Sequence, residues 1–137
     1  MEKERLVLMV GKSSSVARDI ILFERSKGSV ILSVGRDDGF SLNQPAKMDW
    51  SKILTKDVSV IYIAAWDQAC STAEESYNTN VKGIVSLVDT IPGDKRPNII
   101  FISSMSADFC SMSFYGRHKA LVETYIIEAG GIVVRLG

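Results

Sequence analysis

The sequence predicts an α/β domain, a doubly wound parallel sheet of about six strands in the order 3-2-1-4-5-6. Three observations predict it. Short, wholly apolar, β-branched runs recur along the chain, as strands buried on both faces require. Segments with helical apolar spacing lie between them. Glycine marks the junctions, at Gly11, Gly28, Gly35, Gly93, Gly130 and Gly131. The chain has 137 residues, enough for one domain (1–137) that buries about two thirds of its unfolded surface.

The first strand is Leu6-Val7-Leu8-Met9-Val10, and Gly11 breaks it. After the serine run Ser13-Ser14-Ser15, suited to a helix N-cap, Val16, Ile20 and Phe23 mark the apolar side of a helix that Lys27-Gly28 ends. Ser29–Val34 is the second strand, closed by Gly35-Arg36-Asp37-Asp38, so the first thirty-odd residues form a right-handed βαβ unit. Ala46-Lys47-Met48 reads as a brief third strand, with Asp49 at its end and a short helix from Trp50 to Leu54. Val58–Ala65 is the fourth strand.

A helix from about Thr72 to Thr90 carries the stripe Val81, Ile84, Val85 and Val88, and Pro92-Gly93 stops it. Asn98–Ile102 is the fifth strand. A last helix runs from Phe114 to Ala129, Gly130-Gly131 ends it, and Ile132–Leu136 is the sixth strand. That strand forms an open sheet edge with apolar Ile132, Val133 and Val134 beside it. Self-association through the edge, a homo-oligomer, is the expectation.

Composition excludes several function classes. Sixteen basic and sixteen acidic residues leave no net charge, so neither nucleic acid nor an anionic membrane surface is an expected partner. Cys70 and Cys110 lack disulfide or metal-binding spacing, and His118 is the sole histidine, so no metal site is expected. The start, Met1-Glu2-Lys3-Glu4-Arg5, is charged, and the apolar run after it is too short for a signal peptide core or a membrane span. A cytoplasmic protein is expected.

The chemistry concentrates in Tyr115-Gly116-Arg117-His118-Lys119 and in Ile102-Ser103-Ser104-Met105-Ser106 before it. Four residues apart on a helix, Tyr115 and Lys119 leave from one face. An ammonium beside a phenol favours the phenolate and suits the phenol to proton transfer at neutral pH. A serine hydroxyl at the end of the neighbouring strand could hold the oxygen that exchanges the proton. Alone, a Tyr-x-x-x-Lys pair arises by chance in about one such chain in four.

Several stretches together resemble the short-chain dehydrogenase/reductase superfamily, specifically its extended branch of nucleotide-sugar epimerases and dehydratases. They are Gly11, Val60–Ala65, Asn80-Val81-Lys82-Gly83, Ile102-Ser103-Ser104, Tyr115–Lys119 and Val133-Val134-Arg135-Leu136-Gly137, in the family's order over nearly the whole chain. The resemblance implies a Rossmann fold that stops before the family's C-terminal substrate domain. It implies Tyr115 as general acid or base, and Lys119 as the residue that favours the phenolate and bonds the nicotinamide ribose. Asn80 would position a proton-relaying water, and Ser104 the substrate oxygen, with Ser106 as the alternative to Ser104. A serine turn satisfying its own backbone is the structural reading of the same residues.

The cofactor end can be argued physically as well. A helix N-terminus after the first strand suits a pyrophosphate. The family's Gly-x-x-Gly-x-x-Gly stands here as Gly11-Lys12-Ser13-Ser14-Ser15-Val16-Ala17, so Gly11, Ser13, Ser14 and Ser15 would meet the phosphates. Ser14 adds a Cβ where the family lets backbone approach them, which weakens binding. Ala64 and Ala65 would also contact the cofactor. Where NAD enzymes place an acid after strand two, this chain has Gly35 and then Arg36, which can pair a 2'-phosphate. The resemblance therefore favours NADP, with NAD as the alternative. Asp49 would contact the adenine, or simply cap the helix at Trp50.

The functional expectation is an NAD(P)-dependent epimerase/dehydratase-like or reductase-like protein acting on a sugar-type alcohol or ketone. Two alternatives stand beside it: a non-catalytic nucleotide-binding or assembly module, and a truncated family member without activity.

Overall fold

Five parallel strands, β1 (Leu6–Val10), β2 (Val30–Val34), β3 (Val58–Ile63), β4 (Ile99–Ser104) and β5 (Ile132–Leu136), form one sheet in the order β2-β1-β3-β4-β5. The structure is a computed structural model that describes residues 5–54 and 58–137; the charged start at residues 1–4 lies outside the described residues. The helices are α1 (Ser15–Ser26), α2 (Trp50–Ile53), α3 (Ala73–Ser76), α4 (Lys82–Thr90) and α5 (Phe114–Glu128). The doubly wound parallel sheet predicted from the sequence is present.

Among the described residues the sheet has five strands because Ala46-Lys47-Met48 does not pair. Pro45–Lys47 forms a 3-10 turn, whose Pro45 carbonyl accepts a hydrogen bond from Trp50 Nε1 at 2.8 Å. Proline fixes a turn φ and has no N–H for a ladder, so the short run begins as a turn. Without that outer strand the predicted order 3-2-1-4-5-6 becomes the observed one.

Strand β1 lies second in the sheet, flanked on both sides, and all five of its residues are buried. Ile84, Leu87 and Val88 of α4 join Val122 and Ile126 of α5 against Leu8, Val10, Ile61, Ile63, Ile99 and Phe101 in the main core. On the other face, Val16 and Ile20 of α1 meet Ile100, Ile102, Val134 and Leu136 around an apolar groove. Alternation along β4 thus sends Phe101 and Ser103 toward α5, and Ile100, Ile102 and Ser104 toward the α1 side. At the sheet edge, Ile132, Val134 and Leu136 of β5 are exposed.

Glu24 ties α1 to the sheet. Its buried carboxylate accepts from Arg5 Nε and Nη2 at 3.1 and 3.2 Å, from Ser29 Oγ at 2.7 Å and from Tyr62 Oη at 3.0 Å. Burial pushes the carboxyl up, yet these four donors outweigh it and hold the group below its ordinary range.

Candidate functional site

The carboxyl ends of β1, β2 and β3 open onto a cleft of about 680 Å³ lined by Gly11, Ser13, Ser14, Gly35, Arg36, Phe40, Ala64, Ala65, Trp66 and Asp67 among others. Ligands of doubly wound sheets bind at this edge, where the connections on the two sides part. Gly11 sets how close the loops come. Its φ is +88°, its N–H bonds the Val34 carbonyl at 2.9 Å, and a Cβ there would stand 2.6 Å from the Ala65 nitrogen.

Ser14 does what its chemistry favours at a helix start. Its backbone is extended, with φ −73° and ψ 155°, and its Oγ accepts from the Ala17 N–H at 3.1 Å. It therefore needs no glycine conformation, but its hydroxyl occupies part of the mouth of α1. Ala17, in the last place of the motif, is fully buried, as close helix packing requires. Ser15 is the first residue of α1 and does not line the cleft.

After β2, Arg36 reaches the cleft while the two acids that follow it are engaged. Lys12 Nζ lies 3.1 Å from Asp37 and 2.7 Å from Asp38, and Asp38 also accepts from the Gly35 N–H at 2.9 Å. Lys12 and that N–H hold the Asp38 carboxyl below its usual range. Asp49 caps α2, its Oδ1 accepting from the Ser51 N–H at 3.2 Å, and does not line the cleft.

Tyr115 and Lys119 share a face of α5, as their spacing predicts. Lys119 is buried, with Nζ 4.0 Å from the ring centroid of Trp66, 5.1 Å from that of Phe101 and 5.6 Å from that of Tyr115. Nζ also donates to the Ile102 carbonyl at 3.4 Å. Burial pulls its pKa down to about 8, against a smaller upward effect of Glu123. Glu123 is itself fixed by Arg135, with N–O distances of 2.9 and 2.7 Å.

This burial has a stability consequence. A lysine whose pKa is lower folded than unfolded destabilises the fold fully below pH about 8, and the cost fades as the pH rises toward 10.5. Its size is about 3 kcal/mol. Lys119→Met should therefore stabilise the fold at neutral pH by about 1–3 kcal/mol, seen as a higher urea midpoint. A lower midpoint would show that Glu123 and the aromatic faces outweigh the burial cost.

Asn80 sits in a π-helical turn, Tyr77–Val81, between α3 and α4. Such turns re-aim side chains and recur at functional sites. Its fully buried amide accepts from the Asp67 N–H at 2.7 Å, and donates to the Asp67 carbonyl at 3.0 Å and to Ser76 Oγ at 3.2 Å. Ser76 Oγ lies 2.9 Å from His118 Nδ1, whose pKa burial lowers, with the neighbouring Arg117 adding to the effect. Asn80 thus clamps the loop that follows β3. Gly83, one turn on, lies against the 40–43 loop: a Cβ there would overlap the Leu42 carbonyl.

The three serines separate. Ser103 is buried on the α5 side of β4, the side of Glu123 and Lys119. Ser104 is on the α1 side, and its Oγ accepts from the Ser106 N–H at 3.0 Å, the serine turn named above. Ser106 is exposed, and its carbonyl lies against Gly116, next to Tyr115. Sequence reasoning missed Trp66, which lines the cleft and touches both Tyr115 and Lys119. Its position directly after Ala64-Ala65 was the available signal. Among the described residues, no group of three His, Cys, Asp or Glu stands together to hold a metal ion, and no helix is long and apolar enough to cross a membrane.

No protein-family model matches the sequence, and no curated protein is significantly similar to it. Solved structures do match. A short-chain dehydrogenase/reductase superfamily protein from Agrobacterium tumefaciens with bound NAD superimposes with a TM-score of 0.70 and 17% identity, over 96% of this chain and 48% of that one. The dTDP-4-dehydrorhamnose reductase of Bacillus anthracis in complex with NADP gives 0.76 and 13%, over 98% of this chain and 54% of that one. The chain shares the fold of these two proteins. The UDP-glucose 4-epimerase of Thermotoga maritima, with UDP-glucose, has it too, at a TM-score of 0.72 and 14% identity over 95% and 54% of the two chains. The present chain spans about half the length of the structures it matches.

Proposed function

We propose that this chain is the nucleotide-binding half of an NAD(P)-dependent epimerase- or reductase-type protein acting on a sugar-type alcohol or ketone. The observation that carries the reading is the continuity of one cleft from the Gly11 loop to Trp66, which touches Tyr115 and Lys119. The residues fit a dinucleotide. Gly11, Ser13 and Ser14 line the cleft at the mouth of α1, where a helix N-terminus and its dipole favour a pyrophosphate. Ala64 and Ala65 present small side chains along its floor.

When bound, the nicotinamide would give or accept a hydride. Tyr115 would take or give the hydroxyl proton, with the Lys119 ammonium as the nearby positive charge. Ser104 or Ser106 would hold the substrate oxygen; the place of Ser106 beside the start of α5 favours the latter. Asn80 would hold the Asp67 loop and, through the remaining lone pair of its amide oxygen, position a water that relays protons to Lys119.

NADP is the proposed form. Arg36 reaches the cleft as a cation, while Lys12 and Gly35 engage the acids after it. Titration with NADPH and NADH, followed by nicotinamide fluorescence, tests both claims. NADPH should bind more tightly. Arg36→Ala should weaken NADPH by roughly ten-fold or more, the loss of one charge-assisted pair, and leave NADH little changed. Absence of binding by either nucleotide below millimolar levels would remove the reading. Turnover is sought with nucleotide sugars, UDP-glucose among them.

A second reading, a nucleotide-binding module without turnover, draws on the Ser14 hydroxyl at the helix mouth and on the half-length match. It requires nucleotide binding with no turnover of any nucleotide sugar. A cytoplasmic homo-oligomer belongs to the proposal under either reading, supported by the exposed apolar residues of β5.

A further inference from the structure

Trp66 is held from both sides. Ala65, just before it, lies against Gly11, and Asp67, just after it, has its N–H and carbonyl bound by the Asn80 amide. Between these anchors the indole is half-buried. It stands edge-on to the Tyr115 ring, with centroids 6.0 Å apart and an interplanar angle of 75°, and its face lies 4.0 Å from Lys119 Nζ. It also forms part of the cleft wall. An ammonium taken out of water at this depth retains few compensations. The Ile102 carbonyl is a long acceptor at 3.4 Å, and Glu123 is already paired with Arg135. The π faces supply what the hydrogen bonds do not.

We propose that Trp66 is a positioning residue for the Tyr115–Lys119 pair: its indole face holds the Lys119 ammonium charged beneath the cleft, while its edge contact orients the Tyr115 ring. The proposal deepens the site described above and rests on that reading for its catalytic relevance. Trp66 makes no bond to a reacting atom. Its effect passes through Lys119, which must stay protonated to support a phenolate.

The groups that face Lys119 frame the expected titration. From its own helix these are Glu123 and Tyr115; from β4, the Ile102 carbonyl; from β5, Arg135, turned onto Glu123. In the loop after β3, the Asp67 carboxylate accepts from the Ala69 N–H at 2.9 Å. Changing Trp66 leaves the Glu123–Arg135 pair and the Ile102 carbonyl in place and frees only the Tyr115 ring. A leucine there keeps the site apolar but removes the π face, so the protonated form loses support and the midpoint must fall. Phenylalanine keeps a face and should restore most of it.

The test is lysine side-chain NMR of the whole chain, carbon-labelled at lysine Cε, with Lys119→Met identifying the signal. No nucleotide is added. The Lys119 midpoint should drop by roughly half a pH unit to one and a half in Trp66→Leu, and return most of the way in Trp66→Phe. An unchanged midpoint in a folded Trp66→Leu protein would overturn the proposal. If Trp66→Leu does not fold, the unmodified protein decides. Lys119 ε-protons over an indole face must be shielded by its ring current, and ordinary lysine shifts would overturn the proposal equally. Because the readout needs no cofactor, failure of NADPH binding removes the functional reading alone, and an unmoved midpoint removes the Trp66 role alone.

Discussion

Tyr115→Phe should lower turnover by about 10²–10⁴-fold, the range that a positioned proton donor or acceptor contributes, and leave NADPH binding nearly unchanged. The substitution deletes one hydroxyl. The ring, and with it the edge contact to Trp66 at 6.0 Å, remains, so the cleft wall keeps its shape. The comparison is made with whichever nucleotide sugar the intact protein turns over, as kcat and KM separately. A loss confined to kcat is expected, because the hydroxyl acts on the proton in flight and not on the bound nucleotide. Equal turnover by the variant would remove Tyr115 from the mechanism. A comparable loss of NADPH affinity would instead mean that the ring had moved.

Gly11→Ala should destabilise the fold by about 2–5 kcal/mol and abolish nucleotide binding in whatever protein still folds. Two costs add. The φ of +88° lies where L side chains rarely go, and the new Cβ would stand 2.6 Å from the Ala65 nitrogen and 2.7 Å from its Cα. Backbone on both sides leaves nothing flexible to give way. The relief available is to push the β3 end away from β1, which breaks the Ala64 N–H bond to the Val10 carbonyl, now 2.9 Å, and widens the cleft floor. The melting temperature should fall by roughly 10 °C or more. Gly28→Ala is the control, since Gly28 has nearly the same φ, +86°, and open space around it, so strain alone is tested there. Equal losses at the two positions would show that the Ala65 contact carries no weight.

Much of the frame was legible from local pattern. Leu6–Val10 reads as a central strand because every residue is apolar, and it is buried on both faces. The four-residue spacing of Tyr115 and Lys119 sets their common face, since helix geometry is fixed by the backbone. Ser14 as an N-cap follows from its place before an apolar helical run. Such features depend only on neighbours within a turn or two.

Ala46–Met48 shows where that reasoning ends. Its residues suit a strand, but pairing is a property of two segments, and Pro45 starts a 3-10 turn where the strand would begin. The serines make the same point at the site. Ser103, Ser104 and Ser106 are chemically alike, and only the alternation of β4 against α5 and α1 puts Ser103 on the lysine side and Ser104 on the other. Trp66 could be seen in the sequence, but nothing there tied it to Lys119, fifty-three positions away.

Periodicity and turn chemistry are written along the chain, so they delivered the α/β class, the Gly11 break and the Tyr115–Lys119 face. Which aromatic face shelters the ammonium, which serine approaches it and which acids Lys12 engages are set by distances between elements remote in sequence. Those distances arise only when the helices pack on the sheet, because the energies that choose among like residues, burial of charge above all, exist only in the packed state.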